Sequence, residues 1–168
     1  MQQLILIDGM SGAGKTTTTK LLLEKLPRTA HVGMDVIKRL VSDFERGVRD
    51  NDIARAVTFA MAEKYLQLGL SVIVEQPFRT EKMVQEYEQL AKKHHINCHK
   101  YQIHADPKVA FERVVDRTKR NGGDLTKERA EKNISLFQSK KHLGFFMIDT
   151  TSTKPVKVAT MILDQILK

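Results

Sequence analysis

The sequence predicts an α/β fold in which a parallel β-sheet is sandwiched between helices, a three-layer α/β/α arrangement. Three observations lead to this prediction. Strand and helix patterns alternate along all 168 residues. The strand candidates at 71–75 and 144–149 contain continuous apolar runs, which are typical of parallel strands covered by helices on both faces. Pro107 and Pro155 open two helical patterns, and proline fits the first turn of a helix.

The apolar periodicity gives the position of each element. The predicted strands cover residues 3–7, 29–33, 71–75, 97–104 and 144–149. The predicted helices cover residues 14–26, 35–45, 51–68, 80–95, 107–120, 126–141 and 155–167. Thr80 and Thr126 are predicted N-caps, because their hydroxyl oxygens can accept a bond from a first-turn N–H. No repeat or linker divides the chain, so we expect one domain over residues 1–168.

The composition is that of a soluble globular protein, with 41% apolar and 29% charged residues. No apolar stretch approaches the roughly 18 residues of a membrane span. The chain enters its first strand almost at once, which leaves no room for a signal peptide, and we expect a cytoplasmic protein without a membrane partner. A single cysteine, Cys98, excludes an intrachain disulfide and a cysteine-rich zinc site.

The segment from Gly9 to Thr16 has the spacing of a phosphate-binding P-loop and reads Gly9-Met10-Ser11-Gly12-Ala13-Gly14-Lys15-Thr16. It follows an apolar strand and precedes a helical pattern, which is the context that such a loop requires. Glycines let backbone N–H groups converge on phosphate oxygens, and the helix adds its free amides and the positive end of its dipole. The alternative is a chance glycine-rich turn, which the complete motif and its flanks disfavour.

Each P-loop residue has an expected task. Lys15 reaches the β- and γ-phosphates of ATP, and the Thr16 hydroxyl completes the coordination shell of Mg²⁺. The loop from Gly9 to Gly14, together with Thr17, is expected to contact the nucleotide through its backbone. ATP and Mg²⁺ are therefore the cofactors that the sequence implies, and no histidine arrangement suggests a transition metal.

The formal net charge of +8 permits a nucleic-acid partner, because a basic face attracts phosphates without sequence preference. A positive cleft for ATP and ordinary solvated lysines explain the same charge, so nucleic acid is the less favoured partner.

Asp35 follows the second strand and is predicted to emerge at the carboxyl edge of the sheet, on the rim that carries the P-loop. A carboxylate there can accept the proton of an attacking hydroxyl or hold water around Mg²⁺. An N-cap of the next helix is the structural alternative. Lys38 and Arg39, one turn later, are candidates for a second anion, with Arg39 assigned to the acceptor.

Glu75 ends the third strand and is a candidate for the acceptor or for Mg²⁺ through water, because an unpaired buried carboxylate would be costly. Arg79 and Gln76, just beyond it, are candidate acceptor contacts.

Arg113, Arg117 and Arg120 share one face of the helix at 107–120, and Asn121-Gly122-Gly123-Asp124 then breaks the helical pattern. This pattern predicts a lid over about 113–130, in which the arginines close over ATP and neutralise charge during transfer. A solvated basic face followed by a turn is the alternative. After the last strand, Asp149-Thr150-Thr151-Ser152 is expected either to bind the adenine edge or to cap the final helix.

With these motifs together, the chain resembles the P-loop kinase superfamily. It is most similar to small kinases such as chloramphenicol phosphotransferase, the zeta toxins and the kinase domain of phage polynucleotide kinase. The resemblance rests on Gly9–Thr16, on Asp35 with its basic pair, on the arginine stripe and, weakly, on Asp149-Thr150-Thr151. It departs where relatives often have arginine and this chain has Lys38, and where several have aspartate and this chain has Glu75.

The resemblance implies a five-stranded parallel sheet of order 2-3-1-4-5 and transfer of the ATP γ-phosphate to a hydroxyl, with Asp35 as base. The leading hypothesis is an ATP-dependent phosphotransferase that acts on a small molecule. A nucleic-acid 5′-hydroxyl kinase and an acceptor-independent ATPase are the alternatives. The acceptor, the oligomeric state and the preference for ATP over GTP are not determined by the sequence.

Overall fold

The computed structural model describes residues 1–45, 47–121 and 126–167. Its strands are β1 (Gln3–Gly9), β2 (Thr29–Gly33), β3 (Ser71–Glu75), β4 (Asn97–His104) and β5 (Phe146–Asp149). Its helices are α1 (Lys15–Leu23), α2 (Met34–Lys38), α3 (Val48–Gln67), α4 (Glu81–Lys93), α5 (Pro107–Asn121), α6 (Lys127–Ser135) and α7 (Pro155–Ile166). The alternation of strands and helices that the sequence predicts is confirmed.

The five strands form one parallel sheet in the order β2-β3-β1-β4-β5, as the resemblance implied. In the register of β2 and β3, Gly33 pairs with Glu75, so the ends of these two strands are level. In the register of β4 and β5, His104 pairs with Asp149. The polar residues at the strand ends therefore share an edge with their neighbours, as parallel strands require.

The chain divides into two compact units, each with its own apolar core. The first unit comprises Met1–Ile7 and Leu23–Lys100, and its buried strand residues include Ile5, Val32 and Ile73. The second unit comprises Asp8–Leu22 and Tyr101–Lys168, and its fully buried residues include Ile103, Val158 and Ile162. The P-loop belongs to the second unit, and Asp35 and Glu75 belong to the first.

The predicted N-caps Thr80 and Thr126 are confirmed: each hydroxyl oxygen accepts a bond from a backbone N–H three residues later, at 3.3 Å. The prediction of a long helix at 35–45 is wrong. Helix α2 ends at Lys38, and the chain turns through Asp43, which has a positive φ of 52°. After Lys38 the backbone N–H groups of Arg39, Leu40 and Val41 bond to carbonyls three residues earlier, so the chain continues as tight turns and not as an α-helix.

The prediction of a helix at 126–141 is wrong beyond Ser135. Gln138 and Lys140 give their backbone carbonyl and N–H to the side chain of Gln102, in place of helical partners. Beyond Ser135 the helical sequence pattern continues, but the backbone there bonds to a side chain of β4 and not to helical partners. Among the described residues, no helix combines the length and apolarity needed to cross a bilayer.

Candidate active site

The P-loop connects β1 to α1 in the second unit and makes close backbone contacts there. Gly9 has a φ of 146°, and a Cβ at this position would lie 1.9 Å from the carbonyl oxygen of Ile103. Gly12 has a φ of 79°, and its Cβ would lie 2.1 Å from the carbonyl oxygen of Ala110. Only glycine fits either position, because a side chain would be strained and would also clash with backbone.

Lys15 is the first residue of α1, and its side chain folds over the loop. Its Nζ donates hydrogen bonds to the carbonyl oxygens of Gly9 at 2.9 Å and Met10 at 3.0 Å. The ammonium group is therefore held at the mouth of the loop, beside the N-terminus of α1. The first amides of a helix have no carbonyl of their own helix to bind, so this end of α1 suits an anion. Thr16 and Thr17 are exposed at the same helix end.

Thr150, which follows β5, bonds to the P-loop through the backbone of Ala13. Its hydroxyl lies 2.9 Å from the carbonyl oxygen of Ala13 and 3.0 Å from that of His104, and it can donate to either. Ala13 is fully buried and Thr150 is nearly so. The loop after β5 does not cap the last helix, because the N-cap of α7 is Lys154. Of the two predicted roles of this loop, capping is excluded, and the role at the adenine edge stays a prediction.

Arg113 points to the same loop. Its guanidinium donates to the carbonyl oxygens of Thr150 at 2.8 Å and Thr151 at 3.3 Å, and lies 3.3 Å from the Thr150 hydroxyl. The side chain is half-buried, and its polar atoms are used to fix the backbone of the loop. Its predicted contact with the nucleotide stays a prediction.

Arg117 and Arg120 lie on the exposed face of α5. Together with Arg113 and Asp116 they line a shallow groove of about 220 Å³. Arg120 is 3.8 Å from Asp116, but both side chains are largely exposed, so this pair contributes little to stability. The groove is an open basic surface at the start of the predicted lid. The predicted hinge at Asn121-Gly122-Gly123-Asp124 lies outside the described residues, apart from the backbone of Asn121.

Asp149 organises the turn after β5. Its carboxylate accepts bonds from the Thr151 hydroxyl at 2.6 Å and the Thr151 backbone N–H at 2.8 Å. These bonds hold the pKa of the Asp149 carboxyl below its ordinary value, with smaller contributions from the charges of His104 and Arg113. The Thr151 hydroxyl in turn accepts from the backbone N–H of Asp106 at 2.8 Å. The turn is thus fixed by hydrogen bonds on both sides.

Sequence reasoning missed Asp8, a buried acid at the end of β1. Its side chain is only 4% exposed, and Gln102 donates to it at 2.8 Å. Burial raises the pKa of the Asp8 carboxyl, and this is partly offset by the backbone N–H of Gly9 and by the charges of Lys140 and Lys15. The available signal was an acid inserted between an apolar strand and the first glycine of the loop.

In the first unit, Asp35 lies in the first turn of α2. Its carboxylate is 70% exposed and lies 3.4 Å from Nζ of Lys38, and Arg39 donates to its backbone carbonyl at 3.3 Å. The N-cap of α2 is Gly33, which makes no side-chain cap bond. The structural alternative for Asp35 is therefore wrong, and its carboxylate is accessible for chemistry.

Glu75, at the end of β3, has a partner that the sequence analysis did not identify. Nε2 of His31 lies 3.1 Å from Oε2 of Glu75, with side-chain exposures of 22% and 11%. His31 and Gly33 are two residues apart on β2, and a Cβ at Gly33 would lie 3.2 Å from Nε2 of His31. The glycine therefore leaves room for the imidazole beside the carboxylate.

The residues after Glu75 differ in accessibility. Gln76 is 2% exposed, and its backbone N–H donates to the carbonyl of Ile7 at 3.3 Å. Arg79 is exposed. Of the two candidate acceptor contacts, Arg79 presents its charged group to solvent.

No group of three or more histidine, cysteine, aspartate or glutamate side chains that could hold a metal occurs within the described ranges. A Mg²⁺ ion that is bound through one hydroxyl, phosphate oxygens and water needs no such group. Thr16, an exposed residue directly after Lys15, carries a hydroxyl of the kind that this donor set needs.

Comparisons with known proteins agree with this geometry. A family model described as an AAA domain matches residues 4–140. A search of curated protein sequences found no match.

Solved structures resemble the fold along nearly the whole chain. A Chloroflexus aurantiacus protein assigned provisionally as a kinase is 20% identical, with a TM-score of 0.73 and coverage of 99% of this chain and 96% of that one. Mycobacterium tuberculosis APS kinase, solved with AMPPNP and APS, is 14% identical, with a TM-score of 0.74 and coverage of 99% and 98%. The Deinococcus radiodurans tunicamycin resistance protein is 19% identical, with a TM-score of 0.67 and coverage of 99% and 96%.

At these identities the likeness concerns the fold alone. It is the nucleotide-binding fold of P-loop kinases, and the predicted resemblance to that superfamily is confirmed.

Proposed function

This chain belongs to the AAA-domain family, and we propose that it is an ATP-dependent phosphotransferase that moves the γ-phosphate to a hydroxyl of a small molecule. The observation that carries the proposal is the P-loop, whose glycines approach neighbouring backbone too closely for any side chain and whose Lys15 lies across the loop carbonyls. The AMPPNP in the APS kinase structure is consistent with a nucleoside triphosphate as donor.

The second unit supplies the nucleotide contacts. Backbone amides from Gly9 to Thr17 bind the phosphate oxygens. The ammonium group of Lys15 has three donors, so it keeps its bond to the Gly9 carbonyl and donates to the β- and γ-phosphates. Thr16 is the residue that would hold Mg²⁺, an ion that neutralises phosphate charge when bound. Arg117 and Arg120 close over the triphosphate and balance the charge of the transferring group. Arg113 shapes the loop at 149–151, which we assign to the nucleoside end.

The first unit supplies the acceptor contacts. Asp35 accepts the proton of the acceptor hydroxyl. The oxygen of that hydroxyl bonds to the γ-phosphorus while the bond between the γ-phosphorus and the bridging β–γ oxygen breaks, which leaves ADP. Arg39, Arg79 and Glu75 bind the body of the acceptor. Such catalysis depends on positioning and on charge stabilisation, with little covalent work for the protein.

The test is transfer of label from γ-³²P ATP to a panel of hydroxyl compounds, compared with release of free phosphate. Asp35→Asn keeps the size of the side chain and removes its basicity, so transfer should fall by about 100-fold or more, as expected of a lost general base. ATP affinity should stay within a few fold. Lys15→Ala should abolish turnover.

Asp52→Asn is the matched control, because Asp52 is an exposed acid of the same unit and pairs with Arg55. Its transfer activity should equal that of the unchanged protein. Full transfer activity in Asp35→Asn would show that the base is assigned wrongly. Phosphate release that needs no acceptor would favour the ATPase alternative.

A nucleic-acid 5′-hydroxyl kinase is the second candidate, favoured by the net charge of +8. It requires oligonucleotide binding that weakens steeply as salt is raised, because phosphate contacts release counterions. Binding that does not respond to salt would exclude it.

A further inference from the structure

Asp8 is a buried acid that the proposed chemistry does not use. It is the second-to-last residue of β1, lies directly before the first glycine of the P-loop and is 4% exposed. A buried carboxylate needs hydrogen-bond partners, because the loss of water is costly for a charged group. Its partners therefore indicate what it is there to hold.

One partner is Gln102 on β4, which is 1% exposed. Its Nε2 donates to Oδ2 of Asp8 at 2.8 Å and to the carbonyl oxygen of Gln138 at 2.9 Å. Its Oε1 accepts from the backbone N–H of Lys140 at 2.7 Å. A backbone carbonyl can only accept and an N–H can only donate, so the orientation of this amide is fixed. The Asp8 oxygen must then act as an acceptor.

The residue that follows Asp8 is Gly9, the first residue of the P-loop. The carbonyl of Gly9 accepts a hydrogen bond from Nζ of Lys15 at 2.9 Å. Gly9 also lies against the backbone of Ile103, where a Cβ would be 1.9 Å from the carbonyl oxygen. The carbonyl that binds Lys15 thus belongs to the residue joined directly to Asp8, and Gln102 fixes Asp8 to β4.

We propose that Asp8 is a positioning residue for the phosphate-binding Lys15, and that Gln102 ties this arrangement to the segment 138–140. Asp8 does not touch the nucleotide: it orients Gly9, and Gly9 holds the lysine at the mouth of the loop. The inference rests on the proposed function only in taking Lys15 as a ligand of a nucleoside triphosphate. It does not depend on the acceptor.

The experiment measures the Kd of AMPPNP with Mg²⁺ by calorimetry, at a temperature where each variant is fully folded. Asp8→Asn replaces one acceptor oxygen of the buried side chain by an NH₂ group, which cannot accept from the Nε2 of Gln102. We expect the affinity to fall about tenfold, because a buried donor loses its acceptor. Asp164→Asn is the control, since Asp164 is an exposed acid on α7 of the same unit, and its affinity should be unchanged.

The double variant Asp8→Asn with Gln102→Glu separates positioning from simple damage. The new amide can donate to the new carboxylate, which can still accept from the N–H of Lys140. If the two residues acted independently, the affinity loss of the double variant would equal the product of the fold-losses of the two single variants. We expect the double variant to bind AMPPNP at least about threefold more tightly than that, because directly coupled residues are not additive.

An Asp8→Asn protein with a lower Tm but an unchanged Kd would overturn the inference, because the acid would then serve stability alone. If Asp8→Asn does not fold, Gln102→Leu serves instead, since it removes the donor to Asp8 and keeps the carboxylate. The inference then requires an affinity loss of about fivefold, and an unchanged Kd refutes it. If the unaltered protein binds no AMPPNP, the nucleotide site of the proposed function fails together with this inference. Binding without any acceptor turnover leaves the inference standing and counts against the proposed transfer alone.

Discussion

The two regions to which we assign the nucleotide and the acceptor are built in different ways. In the second unit, Gly9 and Gly12 meet backbone at contact distance, and the nearly buried Thr150 hydroxyl bonds to the loop at Ala13. In the first unit, Asp35 is 70% exposed on a helix of five residues, where it contacts Lys38 and Arg39.

The apolar residues beside Asp35 are equally open, with Val36 57% and Leu40 76% exposed. The comparison teaches that a phosphate site built from backbone amides needs close packing around the loop. The direction of a backbone N–H depends on the conformation of the chain, so the chain itself must be fixed. An acceptor site built from side chains needs only accessible groups. Variants of the two regions should therefore fail in different ways.

Gly9→Ala should give the largest effect on the nucleotide region. The new Cβ would clash with the backbone of Ile103 in a conformation that alanine avoids, so the loop must move. ATP affinity should fall by at least about 100-fold, which corresponds to about 3 kcal/mol. Gly47→Ala is the control, because a Cβ at Gly47 meets no atom within 4 Å. Tight ATP binding by Gly9→Ala, measured by calorimetry, would show that the nucleotide region does not depend on close backbone packing at Gly9.

Arg117→Gln and Arg120→Gln should each lower kcat by about tenfold or more, the order expected when a donor to the transferring group is lost. Their Tm should not change, because both side chains are exposed. Arg113→Gln should instead lower the Tm, because its guanidinium holds the carbonyls of Thr150 and Thr151. Steady-state kinetics and thermal melts would separate the two behaviours. Equal effects of all three substitutions on the Tm would contradict this division between Arg113 and the other two arginines.

Thr150→Val keeps the shape of the side chain and removes the hydroxyl behind the P-loop. The unfolding free energy should fall by about 1–3 kcal/mol, because a nearly buried hydrogen bond is lost. ATP affinity should fall with it, since Ala13 loses its support. Thr160→Val is the control: its hydroxyl bonds within α7 at an exposed position, and denaturant titration should show little change. A neutral Thr150→Val would show that the loop holds its shape without this contact.

The smallest expected effect is the pH dependence contributed by Asp149. Its bonds to Thr151 lower the pKa of the carboxyl in the folded protein. A lowered folded pKa gives stability that is present above the unfolded pKa of about 3.9 and is lost as the pH falls through the folded pKa. The Tm difference between the unaltered protein and Asp149→Asn should therefore be steady near neutral pH and shrink below about pH 4. A difference that grows on acidification would contradict this assignment.

Much of the fold could be read from the sequence, because strand and helix periodicities are local. The bounds of β2, β3 and β4 agree with the prediction. The failures occur where tertiary contacts compete with a local pattern. Helix α6 ends early because Gln102 takes the backbone groups of Gln138 and Lys140.

The residues of the candidate site also divide into those that a local sequence pattern reveals and those that only the structure shows. The P-loop was predicted in full, because its glycines and lysine have fixed spacing. His31 was not found, since a histidine in a strand carries no spacing signal. Asp8 was not found, although an acid directly before the first glycine of the loop was a visible signal. Arg113 was found by its helical face, but the sequence could not distinguish a nucleotide contact from a bond to Thr150.

The sequence by itself determined the alternating parallel fold and the phosphate-binding loop, because both depend on residues that are close together in the chain. The tertiary structure alone decided what holds that loop in place. Gln102 reaches Asp8 across 94 positions, and Arg113 reaches Thr150 across 37. Such pairings are set by strand order and register, and no local pattern encodes which buried donor will meet which acceptor.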